Sequence, residues 1–112
     1  MHDPDERACF PKPYSQFGAK FPDILRKNEE LGILIHEHGG PLDEKTRFLI
    51  KLGISAASNH QTAAVTHAVR AREAGATEEE VMHALLLVIP TCGFPTFMET
   101  YRQILENQPA QG

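Results

Sequence analysis

The chain has 112 residues, 41% of them hydrophobic and 23% charged, with a formal net charge of −4, which describes one ordinary globular domain and leaves little room for a second. That acid excess argues against a nucleic-acid or anionic-membrane partner, which would call for a basic patch. The longest apolar run, Ala84 to Pro90, is far too short to span a bilayer, and the opening Met1-His2-Asp3-Pro4-Asp5-Glu6 is too polar for a signal peptide.

Cys9 and Cys92 are the only cysteines, without a close pair or a metal-type spacing, so a reducing cytoplasm is the expected compartment. In chain order, Pro4, Pro11 and Pro13 predict an extended N-terminal arm over residues 1–19, ahead of a helical domain over 20–107. A first helix is predicted from Pro22 to His38: Pro22 suits a first turn, Asp23 the positive end of the dipole, and Gly39-Gly40 the stop. Its apolar residues Ile24, Leu25, Leu31, Ile33, Leu34 and Ile35 form one broad face. A second helix follows from the N-cap candidate Asp43 to about Ala57. Ser58-Asn59 then reads as the cap of a third, from His60 to Ala74, closed by Gly75. This third helix carries Ala63, Ala64, Ala68, Ala71 and Ala74, small residues that let helices approach closely.

The fourth helix has the sharpest start. Thr77-Glu78-Glu79-Glu80 is a capping box, and the apolar run from Val81 to Ile89, broken only by His83, places this helix at the centre of the fold. Pro90 kinks or ends it, and Cys92-Gly93-Phe94-Pro95 makes the bend. A last helix runs from Thr96 to about Asn107, with Phe97, Met98, Tyr101, Ile104 and Leu105 expected on its buried side. The tail over 108–112 is expected to be disordered. No alternating strand pattern occurs, so the fold class is all-α, a compact bundle of about five helices.

Three stretches carry a resemblance. They are Leu42-Asp43-Glu44-Lys45-Thr46-Arg47, then His67 followed by Gly75-Ala76-Thr77-Glu78-Glu79-Glu80, and finally Thr91-Cys92-Gly93-Phe94-Pro95. Together, over roughly residues 20 to 106, they resemble the carboxymuconolactone decarboxylase and alkylhydroperoxidase D-like superfamily. The resemblance implies an all-helical subunit, assembly with itself as a homotrimer or homohexamer, and no cofactor. In the peroxidase branch a Cys-x-x-Cys precedes the shared histidine, with a glutamate twelve residues ahead of the first cysteine. With His67 as that histidine, His60 and Ala63 stand at the two sulfur positions and Phe48 at the glutamate. A dithiol peroxidase needs an activated thiolate beside a resolving thiol, so that activity is set aside. The decarboxylase branch implies a small carboxylic acid or lactone as ligand, but its His and Glu just before the shared histidine are replaced by Thr62 and Ala63.

Two readings follow. In the first, the chain is a cofactor-free enzyme, performing decarboxylation, isomerisation or lactone opening by acid–base chemistry. His67 would be its main catalytic group and His60 the second, two turns apart and on the order of 10 Å along one helix. His60 would stay neutral at the helix N-terminus, where Asn59 and Thr62 could help to seat a carboxylate. Cys92, at the bend, would contribute to the substrate site. In the second reading the chain is a non-catalytic oligomeric binding or assembly module, with His67 an inert histidine and Cys92 a small buried hydrophobe. No metal site is expected, since His60 and His67 are too far apart to chelate one ion and His36 and His38 point in different directions from their helix.

Overall fold

The computed structural model describes residues 12–107. Among these residues there are seven helices and no strand. By contacts the chain divides into two compact units, Met1–Gly40 and Pro41–Gly112.

The first unit holds α1 (Lys12–Lys20) and α2 (Pro22–His38). Helix α1 corrects the expectation of an extended arm as far as residue 19. Pro13 falls in the first turn, where the missing N–H has no carbonyl to meet, so it does not break the helix. Local contacts also favour the helix. The Phe17 and Phe21 rings lie 5.2 Å apart, and the Tyr14 hydroxyl donates to Glu29 Oε2 at 2.8 Å. A Cβ on Gly18 would come within 2.7 Å of Leu25 Cδ2, so the absent side chain is what lets α1 sit close to α2. Residues 1–11 of the expected arm and the tail over 108–112 lie outside the described residues. Helix α2 has the predicted bounds, with Pro22 in its first turn and the Gly39 N–H closing it on Ile35 O. Its apolar residues do not act as one buried face: Leu25 is buried, whereas Ile24, Leu31, Leu34 and Ile35 are exposed.

The second unit contains α3 (Glu44–Ala57), α4 (Gln61–Glu73), α5 (Glu78–Leu86), α6 (Val88–Cys92) and α7 (Phe94–Glu106). Its core is formed by Leu52, Ala56, Ala64, Ala68, Ala71, Ala76, Val81, Leu85, Val88, Phe97 and Ile104. Helix α3 touches all four of the others, and its closest partner is α4. The buried Ala64, Ala68 and Ala71 recur at three- and four-residue steps, making a smooth stripe on which α3 lies. The centre of this unit is therefore α3, not the capping-box helix that the apolar run suggested.

The ends of these helices follow from individual residues. Asp43 caps α3 by accepting from the Thr46 N–H at 2.8 Å. Thr77 and Glu80 form the reciprocal capping box of α5, at 2.9 and 3.0 Å. The expected Ser58-Asn59 cap of α4 is absent. His60 occupies the N-cap position without a side-chain bond, while Asn59, at φ 60°, makes the left-handed turn out of α3. The run from Val81 to Ile89 is not one helix but breaks at Leu87. Pro90 has no N–H to give to the carbonyl of residue 86, so the α-helical ladder stops there. Gly93, at φ 96°, turns the chain into α7. Helix α7 begins two residues earlier than expected, since Pro95 fits its first turn.

Candidate functional site

Phe48 and Lys51 lie one turn apart on α3, the helix at the centre of the second unit, and the Phe48 ring stands beside His67 of α4. His67 is half-buried, with Nδ1 shielded from solvent. Its ring centroid lies 6.4 Å from that of Phe48, with the planes tilted by 32°. Phe48 stands where the resemblance puts the glutamate of the peroxidase relay, so a hydrocarbon ring takes the place of the proton carrier. On another side of Phe48, Lys51 Nζ stands 5.6 Å from the ring centroid, within cation–π range. Arg47 completes the group. Its Nη1 donates to Leu42 O at 2.6 Å, which fixes the guanidinium at the start of α3. Its Nε is buried and meets no acceptor among the described residues. Burial pushes the Lys51 ammonium below the usual lysine range, and the neighbouring Arg47 charge adds to the effect.

The other predicted site residues are elsewhere. His60, Asn59 and Thr62 are all exposed at the start of α4. There the His60 N–H donates to Ser55 O at 2.8 Å, and the Thr62 carbonyl accepts from Thr66 Oγ1 at 3.2 Å. The same helix end is fastened to α7 by Gln61, which bonds Glu99 and accepts from Gln103 Nε2 at 2.6 Å. Cys92 is exposed at the end of α6 and is not the small buried hydrophobe of the second reading. It lines an open groove of about 570 Å³ between α3 and the α5–α6 segment. Leu49, Ile50, Gly53, Ile54, Ala84 and Leu87 give this groove apolar walls, and Thr46, Glu80, His83 and Thr91 give it a few polar edges. Neither His67 nor His60 is among its walls. The structure thus separates the five predicted residues into three places: His67 beside Phe48, the His60 cluster at the α4 start, and Cys92 in the groove.

Arg47 and Lys51 were not singled out from sequence. Their signal was present as two cations at i and i+4 on one helix, a spacing that places like charges side by side. Among the described residues no group of three or more His, Cys, Asp or Glu is placed to hold a metal ion. None of the described helices is long and apolar enough to cross a membrane.

Residues 22–106 match the carboxymuconolactone decarboxylase family. No curated protein matches the chain.

Proposed function

The chain belongs to the carboxymuconolactone decarboxylase family, and from that premise we propose that it works as a self-assembling binding module rather than as a peroxidase-type or lactone-decarboxylating enzyme. The observation that carries this reading is the contact between His67 and Phe48. The peroxidase relay that the resemblance implies passes a proton between this histidine and the side chain at position 48. The benzene ring at position 48 can neither take nor give one.

Assembly is supported by the groove. Ile54 is 60% exposed and Leu87 58% exposed, and they stand on its opposing walls. A continuous apolar surface of this kind marks an interaction site in a soluble protein. A second copy of the chain is the occupant we propose, in a homotrimer or homohexamer. Light scattering behind a sizing column tests it: the mass should be a multiple of 12.5 kDa, and Ile54→Glu should shift it toward the monomer while the helical circular dichroism is kept. A wild-type monomer would overturn the proposal.

A second reading, cofactor-free acid–base chemistry on a small acid or lactone, draws on the shielded imidazole of His67. Turnover of a lactone acid that disappears in His67→Ala would favour it.

A further inference from the structure

The second unit carries an apolar ridge as well as an apolar groove. Along α3 the groove runs from Thr46 to Ala57, which at the rise of a helix is about 16 Å. The ridge is on α7. Phe94, Met98 and Leu105 are exposed there, and the helical turn brings them within about 40° of one another, with the half-buried Tyr101 between them. From Phe94 to Leu105 the ridge is also about 16 Å long. Phe97, Thr100 and Ile104 are the residues that α7 spends on its own core, and no residue of α7 lines the groove. Ridge and groove are therefore two separate surfaces of matching length, one convex and one concave.

Their edges match in charge. Arg47 and Lys51 lie at helical spacing beside Ile50 and Ile54, along the α3 edge of the groove. Asp43 acts on Arg47. Lys51 is partly desolvated and has no carboxylate within ion-pair distance among the described residues. On α7, Glu99 and Glu106 stand together on one side of the ridge, both exposed. Glu99 accepts from the neutral amide of Gln61 at 3.3 Å, and Glu106 pairs with Arg102 at 3.2 Å. An α7 laid antiparallel to α3, middle to middle, sets Glu99 beside Lys51 and Glu106 near Arg47. The same register places Met98 over Gly53, where a Cβ would meet nothing closer than Ala84 O at 3.9 Å, so the floor has room for it. A parallel α7 would turn the two acids toward Glu80 on the other wall.

We propose that the groove of each copy receives the α7 ridge of the next copy, antiparallel to α3. This inference rests on the self-assembly reading above and names the surface that fills the groove. Because the two patches differ, the contact is head-to-tail, and its repetition closes a ring such as the trimer. The mode is a helix seated in an apolar groove, with the charged edges setting its direction.

Two single variants of the full chain, sized by light scattering apart and then mixed, test it. Met98→Glu spoils the ridge and Ile54→Glu the groove, so each alone should run at the mass of one chain, 12.5 kDa. Mixed in equal amounts, they should pair at twice that mass. The intact ridge of the Ile54→Glu copy can still enter the intact groove of the Met98→Glu copy. Retained helical circular dichroism shows that each variant is folded, and Leu105→Glu takes the place of a Met98→Glu that is not. At low salt, Lys51→Glu should loosen the wild-type assembly, and adding Glu99→Lys should tighten it again. A wild-type monomer would remove the self-assembly reading and this inference with it. A fully assembled Met98→Glu, itself folded, would overturn this inference alone. So would two dissociated variants that do not pair on mixing, the result expected if groove met groove. A charge swap that fails to tighten the assembly would overturn the antiparallel placement.

Discussion

Thr100 on α7 is fully buried, and its Oγ1 has no hydrogen-bond partner among the described residues. A hydroxyl taken out of water without a partner costs about 1–3 kcal/mol. Valine has nearly the same shape and carries no polar atom. Thr100→Val is therefore expected to leave the melting temperature unchanged or raise it, whereas Thr100→Ser, which keeps the hydroxyl and opens a methyl-sized void, should lower it. A marked loss of stability in the valine variant would mean that the hydroxyl makes a bond in solution. Phe48 illustrates what was legible at this scale. Its position opposite His67 followed from the spacing of the superfamily motif, and the structure puts the two rings side by side. The role of Lys51 was hidden. Sequence gives its charge, but only three-dimensional packing shows that it is partly desolvated and has no acid within ion-pair distance among the described residues.

At the scale of the element, the parts of the sequence with local chemistry were readable and the parts set by packing were not. Asp43, the Thr77–Glu80 box, Gly75 and Pro22 bound helices through their own backbone chemistry, so each is found at the expected place. The buried side of α7 was less legible. Phe97, Thr100 and Ile104 form the inward stripe at steps of three and four, while Met98 and Leu105 stand one position beyond it and are 39% and 46% exposed. Hydrophobicity marked all of these residues except Thr100 as core, but the turn of the helix admits only one stripe. Leu86 and Leu87 departed from expectation for the same reason, since Val81, Leu85 and Val88 make the buried stripe at steps of four and three and these two residues stand off it.

The capping box also yields a pH prediction. Hydrogen bonding from the Thr77 backbone N–H, then from Lys45, holds the Glu80 carboxyl below its ordinary range. Bonding from Thr46 does the same for Asp43. A carboxyl whose folded pKa is lowered adds stability above its unfolded pKa, and that stability is lost as pH falls through the folded value. Lys45 has the opposite sense. Glu80 raises its pKa, so its contribution is present below the unfolded lysine value and is lost in strong alkali. Thermal melts should accordingly decline below about pH 4, where ordinary carboxyls protonate. Glu80→Gln should make that decline shallower. Thr77→Ala, which removes the cap but keeps Glu80, should cost about 1 kcal/mol at neutral pH. An acid limb identical in wild type and Glu80→Gln would show that the ion pair and cap do not control it.

For the whole molecule, the distribution of buried side chains predicts how the chain divides under stress. Eleven apolar residues of the second unit pack into one core cluster, whereas Leu25 is the one buried large apolar side chain among the described residues of the first. Hydrophobic burial is the main favourable term in folding, and a helical pair that buries so little cannot offset the entropy of ordering its backbone. The second unit should thus fold cooperatively when residues 41–112 are expressed alone, with a single thermal transition in circular dichroism. Residues 1–40 alone should give a weak, non-cooperative helical signal, because α2 is long enough to form transient turns but lacks a core to hold them. The groove belongs wholly to the second unit, so the shortened chain should also keep the oligomeric mass of the full chain if copies meet there. A folded 41–112 fragment that is monomeric while the full chain is not would assign the contact to α1 and α2, whose exposed Phe17, Ile24, Leu31 and Leu34 offer the next apolar surface. The fold of the fragment and its assembly are read by different instruments, so each can fail without obscuring the other.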